Sequence, residues 1–161
     1  MIEVHNNLFV GDLSDCQNSS DFAIVHACKT PCHQVGVGYS KNLPSNHPNY
    51  LIKATETDLY LNLVDMNRIL PQFTDEPIKK SLEFIRTKLS ANKKVLIHCN
   101  VGQSRSCSIA MIYLAKEKII SNNSYKEALT QFRTLYPLVN IGIGFHNYLQ
   151  NNWERLMGDL Q

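Results

Sequence analysis

Nine residues restrict this chain more than any other stretch: His98-Cys99-Asn100-Val101-Gly102-Gln103-Ser104-Arg105-Ser106. The apolar run Val95-Leu96-Ile97 precedes them, and a long apolar helical pattern from Cys107 to Ala115 follows. The segment therefore reads as a strand, a short loop and a buried helix. A loop of this kind can turn the backbone N–H groups of residues 100 to 105 inward as a concave anion nest. The positive end of the following helix points at the same place. Arg105, six positions after Cys99, adds a planar fork able to grip two oxygens of an oxyanion. The same field favours the thiolate of Cys99, the nucleophilic form. The plainer alternative is a buried core thiol beside a solvated arginine.

The bulk properties set limits on what such a site serves. The chain has 161 residues, which suits one domain, 1–161, with its own core. A net charge of +2 makes the chain as a whole no polyanion binder, so no nucleic-acid partner is expected. The five cysteines, at 16, 28, 32, 99 and 107, form an odd, irregular set that argues against a disulfide scaffold. The opening Met1-Ile2-Glu3-Val4-His5-Asn6 has an early acid and no apolar core of a signal peptide. No run approaches the length of a membrane span. The expectation is a cytoplasmic chain with no membrane contact, and oligomeric state is not legible.

Along the chain, Leu8-Phe9-Val10 ending at Gly11, Phe22 to Ala27, Leu59 to Val64 and Lys93 to Ile97 read as strands. Residues 29 to 50, rich in Pro, Gly, Asn, Ser and His, read as a long loop with a short extended piece at Val35–Tyr39. Asp75-Glu76-Pro77 is expected to open a helix, with Asp75 as N-cap and Ile78, Leu82, Ile85 and Leu89 on one face. A helix over about 105–118 is apolar nearly all round, as a central buried helix is. Ser124-x-x-Glu127 reads as a capping box for a helix closed by Pro137. A last helix carries Phe145, Leu149, Trp153 and Leu156. Strands early and helices late predict an α/β fold: a small, mostly parallel central sheet flanked by helices, with the anion-binding loop between a strand and a buried helix.

Cys99-x5-Arg105-Ser106, with Ser104 before the arginine, resembles the signature of cysteine-based phosphatases of the dual-specificity group. Asn7-Leu8-Phe9-Val10-Gly11 resembles the opening strand of that family, Ala110 with Tyr113-Leu114 its central helix, and Glu127-Ala128-Leu129 and Gly144-Phe145 through Glu154 its last helices. One departure is Asn140-Ile141-Gly142-Ile143-Gly144-Phe145, longer than the family's Asn-x-Gly-Phe. The resemblance covers most of the chain except residues 29 to 57.

The resemblance implies hydrolysis of phosphate monoesters of tyrosine and of serine or threonine on a phosphorylated protein, with no cofactor. Cys99 would attack phosphorus and form a cysteinyl-phosphate that water hydrolyses. Asn100, Val101, Gly102, Gln103, Ser104 and Arg105 would bind the phosphate. The leaving oxygen needs a proton from a carboxylic acid. Asp65 fits: it follows a strand able to lie beside the Cys99 strand, and the family acid stands some thirty residues before the cysteine, here 34. A strand-end aspartate can also cap a turn; Asp58, before the strand, and Asp75, read as a cap, fit less well. Ser106 is implied to donate to the Cys99 sulfur in the second step, and it can equally cap the helix. His98 reads as a loop-orienting or core histidine, and Gly102 as a position that a Cβ would obstruct.

The loop positions Asn100, Val101, Gln103 and Ser104 include no lysine, which argues against a substrate with extra phosphates. Residues 29 to 57, with Tyr39, Lys41, His47 and Tyr50, read as a recognition segment or as a plain connection. Cys28, ending a strand that can neighbour the Cys99 strand, is a candidate redox partner of Cys99, by likeness to some lipid phosphatase relatives. His26-x-Cys28-x3-Cys32-His33 places four potential metal ligands close in sequence. Strand alternation puts His26 and Cys28 on one face while Cys32 and His33 lie in the loop, so no metal site is expected. Two other functions compete with catalysis of this kind: a rhodanese-like sulfurtransferase, which needs neither Arg105-Ser106 nor Asp65, and a phosphoprotein-binding module of the same fold, which usually lacks one of Cys99, Arg105 or Asp65.

Overall fold

Short apolar runs bounded by turn residues become strands in this computed structural model, which describes residues 1–158. Among the described residues these are β1 (Ile2–His5), β2 (Leu8–Gly11), β3 (Ala23–His26), β4 (Ile52–Ala54), β5 (Asp58–Leu61) and β6 (Val95–His98). The helices are α1 (Leu13–Gln17), α2 (Gln34–Val37), α3 (Pro71–Ser90), α4 (Arg105–Lys116), α5 (Tyr125–Leu135) and α6 (Ile143–Met157), and a wide helical turn, Lys29–His33, leads into α2. One sheet runs β1-β2-β6-β3-β5-β4. Its four inner strands are parallel, and β1 and β4 pair antiparallel at the edges.

Every residue of β3 and β6 is buried, as continuous apolar strands with both faces covered must be. Helix α4 is buried from Ser106 to Ala115 and packs on β6 and β2, flanked by α3, α5 and α6. The expected α/β architecture is therefore present. Gly11 of β2 and His26 of β3 both pair with His98 of β6, so three parallel strands end at one level. Ligands of open parallel sheets bind beyond such carboxyl ends.

Several local expectations need correction. Residues 35–39 are not extended: α2 ends at Val37, with Gly38 in the left-handed region (φ 97°), where glycine carries no Cβ penalty. Helix α3 begins at Pro71, not after Asp75, because proline's fixed φ suits the first helical position and Leu70 before it is extended (φ −100°, ψ 129°). Asp75 is no cap; its carboxylate accepts from Tyr148 Oη at 2.6 Å and from Arg155 Nη1 and Nη2 at 2.6 and 3.0 Å. At α5 only half of the box forms. Glu127 N donates to Ser124 Oγ at 3.1 Å, while the Glu127 carboxylate accepts from Ser121 Oγ at 2.7 Å.

The strand expected to run to Val64 stops at Leu61, and Asp58, placed before it, is its first residue. Beyond Leu61 the backbone leaves the ladder: Asn62 N donates to Leu51 O, and Leu63 O accepts from Lys29 N at 3.0 Å and from Arg105 Nη1 at 3.0 Å. Asp65 thus follows an irregular segment, and β3 separates β5 from β6.

Candidate active site

The loop from Cys99 to Ser104 is fixed by its carbonyls. Asn100 O accepts from Leu13 N at 3.3 Å, Gln103 O from Asn140 N at 2.9 Å, and Ser104 O from Ser108 N at 2.8 Å. Gly102 O accepts from Tyr136 Oη at 2.7 Å and from Cys107 Sγ at 3.5 Å. The amides of residues 100 to 105 donate to no described group. A loop whose acceptors are tied down and whose donors are free is an anion nest. Gly102 holds φ +77°, and a Cβ there would lie 2.8 Å from Gly11 O, so the turn needs glycine on both counts.

Cys99 is buried, 2% exposed, and its Sγ lies 3.2 Å from Ser106 Oγ. Either atom can donate, so the hydroxyl can stabilise a sulfur anion. Ser106 therefore faces the thiol rather than capping α4. Ser104 is the N-cap residue, and its Oγ accepts from Gly142 N at 2.9 Å. Arg105 is held in place by Leu63 O and by Asn100 Oδ1, the latter at 2.7 Å from Nη2. Its Nε is buried with no protein acceptor. A buried donor of a permanently charged group left unpaired is costly, and a bound oxyanion would supply its missing acceptor.

Asn100 serves twice, since its Nδ2 also donates to Thr30 O at 2.8 Å. Val101 is exposed and Gln103 half-buried. The long Asn140–Phe145 stretch supports the loop through backbone amides, Asn140 N to Gln103 O and Gly142 N to Ser104 Oγ. It also meets the Asp65 segment. A Cβ on Gly142 would lie 2.7 Å from Asp65 Oδ1, and one on Gly144 would overlap Met66 O. Asp65 is exposed and its carboxylate bonds to no described residue. Asp58 is engaged by His26 Nε2 at 2.7 Å and Thr57 Oγ1 at 2.6 Å, and Asp75 by Tyr148 and Arg155. Of the three acids weighed, Asp65 alone keeps its carboxylate free of side-chain partners.

Burial pushes the Cys107 thiol up, and the nearby Cys99 adds to it; burial likewise raises Tyr136, keeping it a neutral donor to Gly102 O. Contact with Cys32 lowers Cys28 to about 6 against the opposing effect of burial, helped by the fields of His98 and Arg105. Cys28 stands beside the Cys99 strand, where Ala27 N donates to His98 O at 2.9 Å.

Sequence reasoning missed how the histidines and cysteines regroup. His26, Cys28, Cys32 and His33 do not converge as a set; His26 and Cys32 instead join two residues from elsewhere in the chain. Cys16, His26, Cys32 and His98 bring one ligand atom each within 4.8 Å of one another. His33 turns away to Tyr39 Oη at 2.6 Å and Asn49 O at 2.9 Å. His98 does orient the loop, its Nδ1 lying 3.1 Å from Cys99 O. In the 29–57 segment, Tyr50 and Leu51 line an apolar pocket of about 320 Å³ with Leu63, Val64, Met66 and Phe73, next to the Asp65 segment. Tyr39 is occupied by His33.

A family model described as the dual specificity phosphatase catalytic domain matches residues 23–154. The chain is 33% identical over 135 residues to tyrosine-protein phosphatase yvh1 of Schizosaccharomyces pombe, covering 80% of this chain and 37% of that protein. It is 27% identical over 122 residues to human dual specificity protein phosphatase 9, covering 76% and 29%. The chain thus spans about a third of the length of these curated relatives. The crystal structure of DUSP15 superposes with a TM-score of 0.68 at 17% identity, covering 98% of this chain and 92% of that one, a likeness of fold.

Proposed function

This chain belongs to the dual-specificity phosphatase catalytic-domain family, and from that premise we propose that it hydrolyses phosphate monoesters of tyrosine and of serine or threonine on a phosphorylated protein. The observation that carries the reading is the convergence of free donors: six loop amides and the unpaired Arg105 Nε beside one buried thiol. Such donors are worth most where charge develops on the equatorial oxygens of a transferring phosphoryl group.

In the first step a bond forms between Cys99 Sγ and phosphorus as the bond from phosphorus to the ester oxygen breaks. Asp65 gives its proton to that oxygen, which leaves as the alcohol or phenol. In the second step water attacks phosphorus, its proton passes to the Asp65 carboxylate, and the sulfur departs as thiolate, stabilised by the Ser106 hydroxyl 3.2 Å away. Phosphate is released and both groups regain their starting states. Arg105 and the amides of Asn100, Val101, Gly102, Gln103 and Ser104 hold the phosphoryl oxygens throughout. The loop has no lysine to meet additional phosphates, which supports a protein rather than a polyphosphorylated lipid substrate. The apolar pocket at Tyr50, Leu63 and Phe73 offers a place for a residue flanking the phosphorylated one.

No helix of the described residues is long and apolar enough to cross a membrane. A reaction that needs a free thiol fits a reducing cytoplasm. The same reading extends to oxidation: peroxide converts the Cys99 thiolate to a sulfenic acid, releasing hydroxide. The Cys28 thiol then attacks that sulfur, giving a disulfide and water, which a thiol reductant reverses.

The test is hydrolysis of p-nitrophenyl phosphate and of phosphopeptides by the wild type, Cys99→Ser, Arg105→Lys and Asp65→Asn. Turnover should be vanadate-sensitive and absent in Cys99→Ser. Arg105→Lys should lose on the order of 10²–10³ in kcat. A Cys99→Ser variant that retains turnover refutes the reading.

A further inference from the structure

We propose that Cys16, His26, Cys32 and His98 form a structural zinc site directly behind the phosphate loop. This inference stands apart from the catalytic reading, for none of the four is assigned to the reaction.

The ligand atoms come from separate parts of the chain: Cys16 from α1, His26 from the last position of β3, Cys32 from the turn that follows, and His98 from the last position of β6. All four lie within 4.8 Å of one another. Cys16 Sγ is 3.6 Å from His26 Nδ1, Cys32 Sγ is 3.8 Å from His98 Nε2, and the two ring nitrogens are 2.8 Å apart. Tetrahedral zinc, with Zn–S near 2.3 Å and Zn–N near 2.0–2.1 Å, sets sulfur–nitrogen separations of about 3.5 Å and nitrogen–nitrogen separations of about 3.3 Å. The sulfur contacts already match; the nitrogen pair has to open by about half an ångström to admit the ion.

The outer edges of both rings decide what the inner edges present. His26 Nε2 lies 2.7 Å from Asp58 Oδ1, and a carboxylate only accepts. His98 Nδ1 lies 3.1 Å from Cys99 O, and a carbonyl only accepts. Each ring therefore carries a proton on its outer nitrogen, and a neutral ring then has none on the inner one. His26 Nδ1 and His98 Nε2 then face each other with lone pairs, in a buried space shared with two sulfurs. Neutral rings in those tautomers repel there; either a second proton on one ring or a cation held between them and the two sulfurs relieves that repulsion. The Asp58–His26 pair and the Cys99 carbonyl on His98 have the form of outer partners that orient metal-bound imidazoles. Two thiolates and two imidazoles in a closed tetrahedron select zinc among the common divalent ions. Cys16 is half-exposed, which leaves a way in. The ion would tie α1, β3 and β6 together one residue before Cys99.

The full chain, purified in reductant without chelator, should carry about one equivalent of zinc by elemental mass spectrometry. Exchange with cobalt(II) should give the visible bands of a tetrahedral ion and a thiolate-to-cobalt charge-transfer band. Cys16→Ser and Cys32→Ser should each weaken or abolish those bands, whereas Cys28→Ser and Cys99→Ser should retain them. Asp58→Asn should weaken cobalt affinity about 10–100-fold. Folded wild-type protein, judged by circular dichroism, that holds no zinc and develops no cobalt bands overturns the proposal without recourse to any variant. So do bands that survive both Cys16→Ser and Cys32→Ser, or that vanish in Cys99→Ser alone.

Discussion

Asp65 and Gly142 are in direct apposition: the Asp65 carboxylate occupies the space a Cβ on Gly142 would need, 2.7 Å from Oδ1. The same glycine donates its amide to Ser104 Oγ at 2.9 Å. One residue thus touches both the phosphate loop and the segment that carries the proposed acid. The long turn from Asn140 to Phe145 acts as the spacer between them.

Gly142→Ala should therefore act as a partial Asp65 lesion. Gly142 has an ordinary extended backbone (φ −64°, ψ 154°), so alanine is not strained there and the carboxylate must move instead. The expected outcome is a fall in kcat of roughly tenfold on aryl phosphates with poor leaving groups and a smaller fall on p-nitrophenyl phosphate. Equal losses on both would refute the acid-positioning role. Gly144→Ala meets backbone, Met66 O, rather than a movable carboxylate. It should lower stability by about 1–3 kcal/mol, read as a reduced midpoint in urea.

Tyr136→Phe removes the hydroxyl that donates to Gly102 O at 2.7 Å. Tyr136 is 2% exposed, so no bulk water replaces the bond, and the carbonyl keeps only the weak Cys107 Sγ donor. The variant should lose about 1–3 kcal/mol of stability while Cys99 remains able to turn over substrate. Chemical denaturation alongside kcat measurements checks both halves.

Asp15 should make stability depend on acid pH. Burial opposes its charge, but the Asp12 amide at 2.9 Å and the nearby terminal ammonium outweigh it and hold the carboxyl below the usual range. A carboxyl lowered on folding stabilises the native state above its unfolded pKa, about 3.9. That contribution is lost as pH falls through the lower, folded value. The gap in Tm between wild type and Asp15→Asn should be full near neutrality and close as pH drops below about 4. A gap that widens toward acid contradicts the assignment.

Cys28 and Cys107 should behave oppositely under oxidation, although both are buried. Cys107, pushed up by burial, should stay unmodified by iodoacetamide in the native protein at pH 8 and take no part in any disulfide. Cys28, which follows Ala27, whose backbone N donates to His98 O, should appear in a Cys28–Cys99 disulfide by peptide mapping after mild peroxide. Cys28→Ser should recover less activity on reduction than the wild type, and unchanged recovery sinks the redox role.

How far the site was legible depends on whether its parts are contiguous. The run His98–Ser106 declared its strand, loop and helix because apolar periodicity, one glycine and a charged fork are local properties. The proposal of Asp65 as the acid rests on likeness to the family, and the strand expected to lead into it is shorter than its apolar pattern suggests. The strand before it ends at Leu61, since Arg105 and Lys29 take the Leu63 carbonyl, and hydrogen bonds from distant residues leave no trace in a hydrophobic pattern. The helix expected to start at Asp75 begins at Pro71, because a proline after an extended residue is itself a helix-start signal.

The amino-acid order alone determined the oxyanion loop, the central helix and the alternation that builds a buried parallel sheet, because each is an interaction among near neighbours along the chain. Tertiary structure alone decided that Cys16 and His98, 82 positions apart, share one centre, and that Asp65 rests on Gly142. Those juxtapositions follow from strand order and register, with β3 set between β5 and β6. Pairing of that range is chosen by how the whole core packs, not by any spacing within one segment.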